Sequence, residues 1–134
     1  MSRKAKKEPK KVLKIGSLNC HGMRDRVDYL DFYKLVSKND IFGVSETWLK
    51  ENDKISLPGY EFFPLNRKPE VGPTRGGIGV FISDQVRKYV KVRYDLSSEN
   101  ILVCRILKKF IGYNDDLYVG IVYTPPETST REKN

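Results

Sequence analysis

The run from Asp40 to Val44, DIFGV, follows its aspartate with apolar residues and a glycine and no polar interruption. That is the pattern of a strand covered on both faces, so it demands a layer on each side of its sheet. From Val27 to Lys38, VDYLDFYKLVSK sets Val27, Leu30 and Leu35, with Tyr29, Phe32 and Tyr33, as the apolar positions of a partly buried helix, with Asp25 or Asp28 near its start. Ahead of it, VLKIGSLN (Val12 to Asn19) is β-branched and partly alternating, and it ends in the polar turn NCHGMRD. Strand, turn, helix, strand is a βαβ-like opening, which predicts an α/β layered domain with a largely buried sheet.

Further strands follow at short intervals. SLPGYEFFPL turns at Pro58-Gly59 into a short strand, RKPEVGPTRGG is a Pro/Gly-punctuated loop, and IGVFIS (Ile78 to Ser83) is the next strand. RKYVKVRYDL alternates around Tyr89 and Val90, ENILVCRIL is strongly β, and LYVGIVYTPP is a strand stopped by Pro125-Pro126. The glycines of RGGIG, Arg75 to Gly79, lack phosphate-loop spacing and precede a strand, so they read as a turn. A chain of 134 residues is one domain's worth of core at most.

The formal charge of +8 is unevenly placed. Between Met1 and Lys14 lie seven basic residues against Glu8 alone, with little apolar content before Val12. Residues 1–11 are therefore expected to be a basic, disordered arm. In it Lys4, Lys6, Lys7, Lys10 and Lys11 form a candidate phosphate grip or nuclear address, or simply a solubilising terminus. Residues 128–134 are expected to be a polar tail. No apolar run has the length of a membrane span or follows the charges as a secretory signal would. Cys20 and Cys104 are too few for a disulfide framework or a CxxC metal site. The expectation is a soluble, intracellular protein with reduced thiols and no membrane partner.

In open α/β sheets, functional groups collect at the carboxyl ends of strands. Three such ends stand out: Asn19 after KIGSL, Glu46 after DIFGVS, and Tyr123 after LYVGIV. A carboxylate with an amide and a phenol nearby suits Mg²⁺, which takes hard oxygen ligands and keeps several waters. Each also has a simpler reading: a solvated carboxylate, a turn asparagine in NCHG, a packed tyrosine. His21 reads as a loop side chain rather than a base.

The ordered segments KIGSLNCHGM, NDIFGVSETWL, LPGYEFF, RGGIGVFIS and LYVGIVYTPPE resemble the first half of the endonuclease/exonuclease/phosphatase superfamily. The nearest flavour is the apurinic-like endonuclease domain of non-LTR retrotransposons. The resemblance spans most of residues 12–127 and implies a layered α/β sandwich of which this chain supplies about the first half, one mixed sheet with a flanking helix. It implies that Glu46 and Asn19 arrange Mg²⁺, that Asn19 and Tyr123 approach the scissile phosphate, and that the partner of a complete domain is DNA. It carries no role onto His21.

The family completes its site with an Asp-x-Asn motif and a Ser-Asp-His motif, and neither occurs here. The expectation is thus a fragment resembling a Mg²⁺-dependent endonuclease, inactive alone, with an open apolar sheet face that self-associates or takes a partner. Two alternatives stand beside it: a non-catalytic module binding nucleic acid or protein, and a phosphatase- or sphingomyelinase-like member of the same superfamily.

Overall fold

The computed structural model describes residues 12–66 and 76–124. The basic arm with its five lysines, the segment 67–75, Pro125-Pro126 and the polar tail lie outside the described residues. A four-stranded sheet has the order β1-β2-β4-β3, built from β1 (Ile15–Asn19), β2 (Ile41–Ser45), β3 (Tyr60–Leu65) and β4 (Ile78–Ser83). β1 and β2 are parallel, as the helical crossover requires, and the other pairs are antiparallel. A second sheet, antiparallel throughout, has the order β5-β6-β7, from β5 (Val90–Val92), β6 (Ile101–Ile106) and β7 (Leu117–Val122).

The expectation of one mixed sheet is corrected here: the described strands divide into two sheets that face each other. Ile41, Ile78, Val80 and Ile82 of the first sheet share a core with Val90, Leu102, Cys104, Ile106 and Ile121 of the second. The opposite face of the first sheet presents Phe42, Val44 and Phe81 to Met23, Phe32, Val36 and Leu49. β2 and β4 are thus buried on both sides, which is why their sequences have no polar alternation. The apolar face expected to stand open is closed from within the chain.

The crossover is two short helices, α1 (Met23–Arg26) and α2 (Leu30–Ser37), rather than one helix over Val27–Lys38. α2 starts after Tyr29 with no side-chain cap, so neither Asp25 nor Asp28 caps it. Phe32 and Val36, four apart, are its buried residues, while Tyr29, Leu30 and Leu35 are exposed because no layer of the described residues lies outside the helix. A third helix, α3 (Lys108–Ile111), joins β6 to β7. Its first backbone N–H donates to Asp116 Oδ1 at 2.7 Å, and Gly112 ends it at φ 78°. Asp116 also accepts from Arg105 Nε at 2.8 Å, and these two bonds, the backbone one first, hold its carboxyl below the usual range. No helix among the described residues is long and apolar enough to cross a membrane.

Gly43 fixes how closely the two sheets approach. A Cβ there would lie 2.7 Å from both Cδ1 and Cγ2 of Ile121, so β7 rests directly on the backbone of β2. Gly43→Ala is expected to destabilise the fold by about 1–3 kcal/mol through overpacking. Urea unfolding checks this: the Gly43→Ala/Ile121→Ala double variant should lose clearly less stability than the two single losses combined, whereas additivity would place Ile121 elsewhere.

Burial pushes the Cys20 thiol up to about 12 and the Cys104 thiol to about 11. For Cys20, nearby Arg26 opposes this shift and Glu46 adds to it. A thiol raised in the folded state contributes stability that is complete below about pH 9 and is lost as pH rises through 11 to 12. Burial likewise raises the phenols of Tyr60 and Tyr94. Stability should therefore fall between pH 8 and pH 10.5, and by less in Cys20→Ala/Cys104→Ala, as read by chemical denaturation at both pH values.

Candidate active site

The carboxyl end of β2 is the first place where the buried strand can release a polar side chain. Asn19 ends β1 opposite Ser45, and Glu46 follows directly. Three successive backbone bonds then stitch the loop after β1 to the loop after β2. The N–H groups of Cys20, Gly22 and Met23 donate to the carbonyls of Ser45, Glu46 and Thr47 at 2.8, 2.9 and 2.9 Å. From the other side, Thr47 and Trp48 N–H donate to the carbonyls of Gly77 (3.3 Å) and Gly76 (2.9 Å). The Glu46 backbone is held between two loops.

That position is reached with strain. His21, Glu46 and Trp48 have φ of 52°, 53° and 56°, a left-handed conformation that costs a non-glycine residue on the order of 1 kcal/mol. Gly76 and Gly77, at φ 73° and 94°, adopt theirs freely, and at Gly77 an added Cβ would collide with Thr47 Oγ1. The glycines of RGGIG thus do more than turn the chain: their carbonyls brace the glutamate loop. Paired glycines before a strand were the available signal, but carbonyl direction is not written in side-chain type.

Tyr123 arrives from the second sheet. Its N–H donates to the Asn100 carbonyl at 2.9 Å, and its hydroxyl donates to Glu46 Oε2 at 2.6 Å. Residues 77 positions apart therefore meet in a short, charge-assisted hydrogen bond across the two sheets. On the solvent side His21 Nε2 lies 3.8 Å from Glu46 Oε1, and the His21 ring meets Trp48 edge-on at 6.1 Å. The side chain of Glu46 is 13% exposed and that of His21 63%. The histidine read as a loop side chain is on a loop, but against the carboxylate.

Asn19, Glu46 and Tyr123 thus gather at one end of the sandwich. Beside them opens a cleft of about 300 Å³, lined by His21, Gly22, Arg24, Thr47, Trp48 and Lys50 among others. Two buried polar atoms next to the glutamate and the tyrosine, Thr47 Oγ1 and Asn100 Oδ1, have no hydrogen-bond partner among the described residues. Among the described residues no three His, Cys, Asp or Glu side chains form a metal cage. A single carboxylate suits the way Mg²⁺ is held, through one or two carboxylates with its waters kept, and not the closed ligand sets of structural zinc; the Asn19 backbone ends β1 opposite Ser45, one residue before that carboxylate.

Fold and site together define an α/β sandwich with a carboxylate–phenol pair at its strand ends. No protein-family profile matches the chain. The chain is similar to the probable RNA-directed DNA polymerase from transposon BS of Drosophila melanogaster, with 26% identity over 127 residues. The match covers 91% of this chain and 13% of that protein, so the chain spans a small part of the relative's length. The similarity relates the chain to a transposon-encoded protein.

The Glu46–Tyr123 bond should be measurable as a coupling. Tyr123→Phe is expected to destabilise the protein by about 1–2 kcal/mol, and by far less in a Glu46→Ala background, where the phenol has lost its acceptor. A double-mutant cycle on urea unfolding reads the difference.

Proposed function

We propose that this chain carries part of the centre of a Mg²⁺-dependent phosphodiesterase, a retroelement-type endonuclease acting on DNA, and that this part does not turn over substrate alone. The observation that carries the reading is the 2.6 Å bond from Tyr123 to Glu46, which unites two of the three strand-end residues across two sheets. The similarity to a transposon-encoded protein favours a nucleic acid over a phospholipid or an inositol phosphate as substrate.

In this reading Glu46 and the Asn19 amide hold the ion, which when bound would supply charge neutralisation at the phosphate and an activated water. Tyr123 fixes the Glu46 carboxylate through Oε2 and leaves Oε1 toward solvent. The neighbouring cleft is lined by Lys50, by Arg24, which pairs with Asp53 at 3.5 Å, and by Asp25, so among the described residues Lys50 is the cation it offers to a phosphate without a paired carboxylate. Lys4, Lys6, Lys7, Lys10 and Lys11, outside the described residues, would supply charge to a phosphate backbone without sequence preference. What the chain lacks, an Asp-x-Asn and a Ser-Asp-His, would complete the general-base and phosphate-stabilising groups. Catalytic groups that act as a unit fail together, so the part present binds more than it cleaves.

Two measurements test this. Mn²⁺ standing in for Mg²⁺ should broaden the amide resonances around Asn19, Glu46 and Tyr123 selectively, and Glu46→Ala should abolish the effect. Broadening that is absent, or that survives the substitution, would sink the assignment of the metal site. Supercoiled plasmid incubated with the folded chain and Mg²⁺ should stay intact. Nicking that Glu46→Ala removes would show that the centre is complete without the missing motifs.

A further inference from the structure

Glu46 Oε2 is engaged by the Tyr123 hydroxyl, which leaves Oε1, and the side chain that faces Oε1 is the imidazole of His21, its Nε2 3.8 Å away. The ring is held there from several sides. The N–H groups of Cys20 and Gly22, before and after His21, donate to the carbonyls of Ser45 and Glu46, and His21 between them takes a left-handed φ of 52°. Trp48 meets the ring edge-on at 6.1 Å. One carboxylate oxygen and one imidazole nitrogen are thus presented to each other by two loops that are themselves bonded together.

We propose that His21 Nε2 and Glu46 Oε1 together hold a divalent transition-metal ion of the Zn²⁺ kind, which competes with Mg²⁺ for the same carboxylate oxygen. The inference rests on the reading of Glu46 as a metal ligand given above and adds a nitrogen to it. An ion about 2.1 Å from both atoms sets them about 3.4 Å apart in a tetrahedron and at most about 4.2 Å apart. The observed 3.8 Å lies inside that span, so both atoms reach one ion with little movement of the ring. The donor chemistry then selects the metal. Imidazole nitrogen suits Zn²⁺ and Ni²⁺, whereas Mg²⁺ takes oxygen and keeps its waters, so a carboxylate joined by an imidazole favours the transition metal. Two protein ligands make an open site with water in its other positions; a closed cage would need three or more such side chains, which the described residues do not bring together. Few other groups in the chain compete for such an ion: His21 is its single histidine, and both thiols, Cys20 and Cys104, are fully buried.

The test reads the ion and the ring separately on the full chain. Zn²⁺ is titrated while the ring nitrogens of the single histidine are followed by NMR, and Zn²⁺ and Mg²⁺ affinities are measured by calorimetry. Zn²⁺ should shift the Nε2 resonance and bind about tenfold or more tightly than Mg²⁺. His21→Asn removes the nitrogen and suits the backbone, because asparagine adopts left-handed φ readily. It should weaken Zn²⁺ binding about tenfold or more and leave Mg²⁺ binding within about twofold of wild type. Glu46→Gln, with its fold checked by circular dichroism, should weaken the binding of both ions. An Nε2 resonance that Zn²⁺ leaves in place, or a His21→Asn variant that binds Zn²⁺ as wild type does, would overturn the proposal and leave the His21–Glu46 contact an ion pair only. Mg²⁺ binding that Glu46→Gln does not weaken, beside Zn²⁺ binding that both substitutions weaken, would instead sink the Mg²⁺ assignment and uphold the nitrogen–oxygen site.

Discussion

β2 is a strand with no exposed face, and much of the molecule is arranged around that constraint. Helices cover one side, the second sheet covers the other, and the glycine at its centre lets Ile121 come down onto the backbone. A polar side chain cannot leave such a strand until the strand ends, so Glu46 stands where the chain first emerges from between its layers. The same layering brings Tyr123 to that point, because β7 lies across β2 and ends at the same edge of the sandwich. Packing of the sheets and assembly of the site are one event: without the second sheet, Glu46 would have no phenol.

The site end is also where local preferences are overridden. Three non-glycine residues adopt left-handed φ, and two of the three buried polar atoms that lack partners among the described residues, Thr47 Oγ1 and Asn100 Oδ1, adjoin Glu46 and Tyr123. Elsewhere α3 ends on a glycine at its C-cap, and its first amide is taken up by Asp116 from beyond the helix. Strain gathered within a few residues of a carboxylate, while the rest follows local rules, is the pattern expected where geometry serves chemistry rather than stability.

The strands β2, β4 and β7 were legible in the sequence because uninterrupted apolar runs and prolines mark them directly. Their division into two sheets was not, since periodicity records which faces are buried and not which strand is the neighbour. The break between α1 and α2 was hidden because the apolar positions from Val27 to Leu35 fit one helix, and only the covering layer decides that Tyr29 and Leu30 stay outside. α3 escaped notice because its capping aspartate lies eight residues away from the amide it accepts. That Asn19, Glu46 and Tyr123 stand at strand ends could be read from the sequence, and that the last two meet could not. His21 gave no signal beyond being the single histidine, and Gly76, Gly77 and Asn100 act through backbone carbonyls, which carry no residue-type signature.

The clamped loop and the strands that lead to it act on the same residues. The Glu46 loop is held from both sides by backbone bonds and its carboxylate by the Tyr123 hydroxyl, so little conformational freedom remains in it for any ligand to remove. Among the described residues, β1 and β7 are outer strands of their sheets that border one groove. Because β1 ends at Asn19 and β7 runs directly into Tyr123, these strands deliver site residues at their ends. The packing of Ile121 on Gly43 and the rigidity of the Glu46–Tyr123 pair are therefore physically linked.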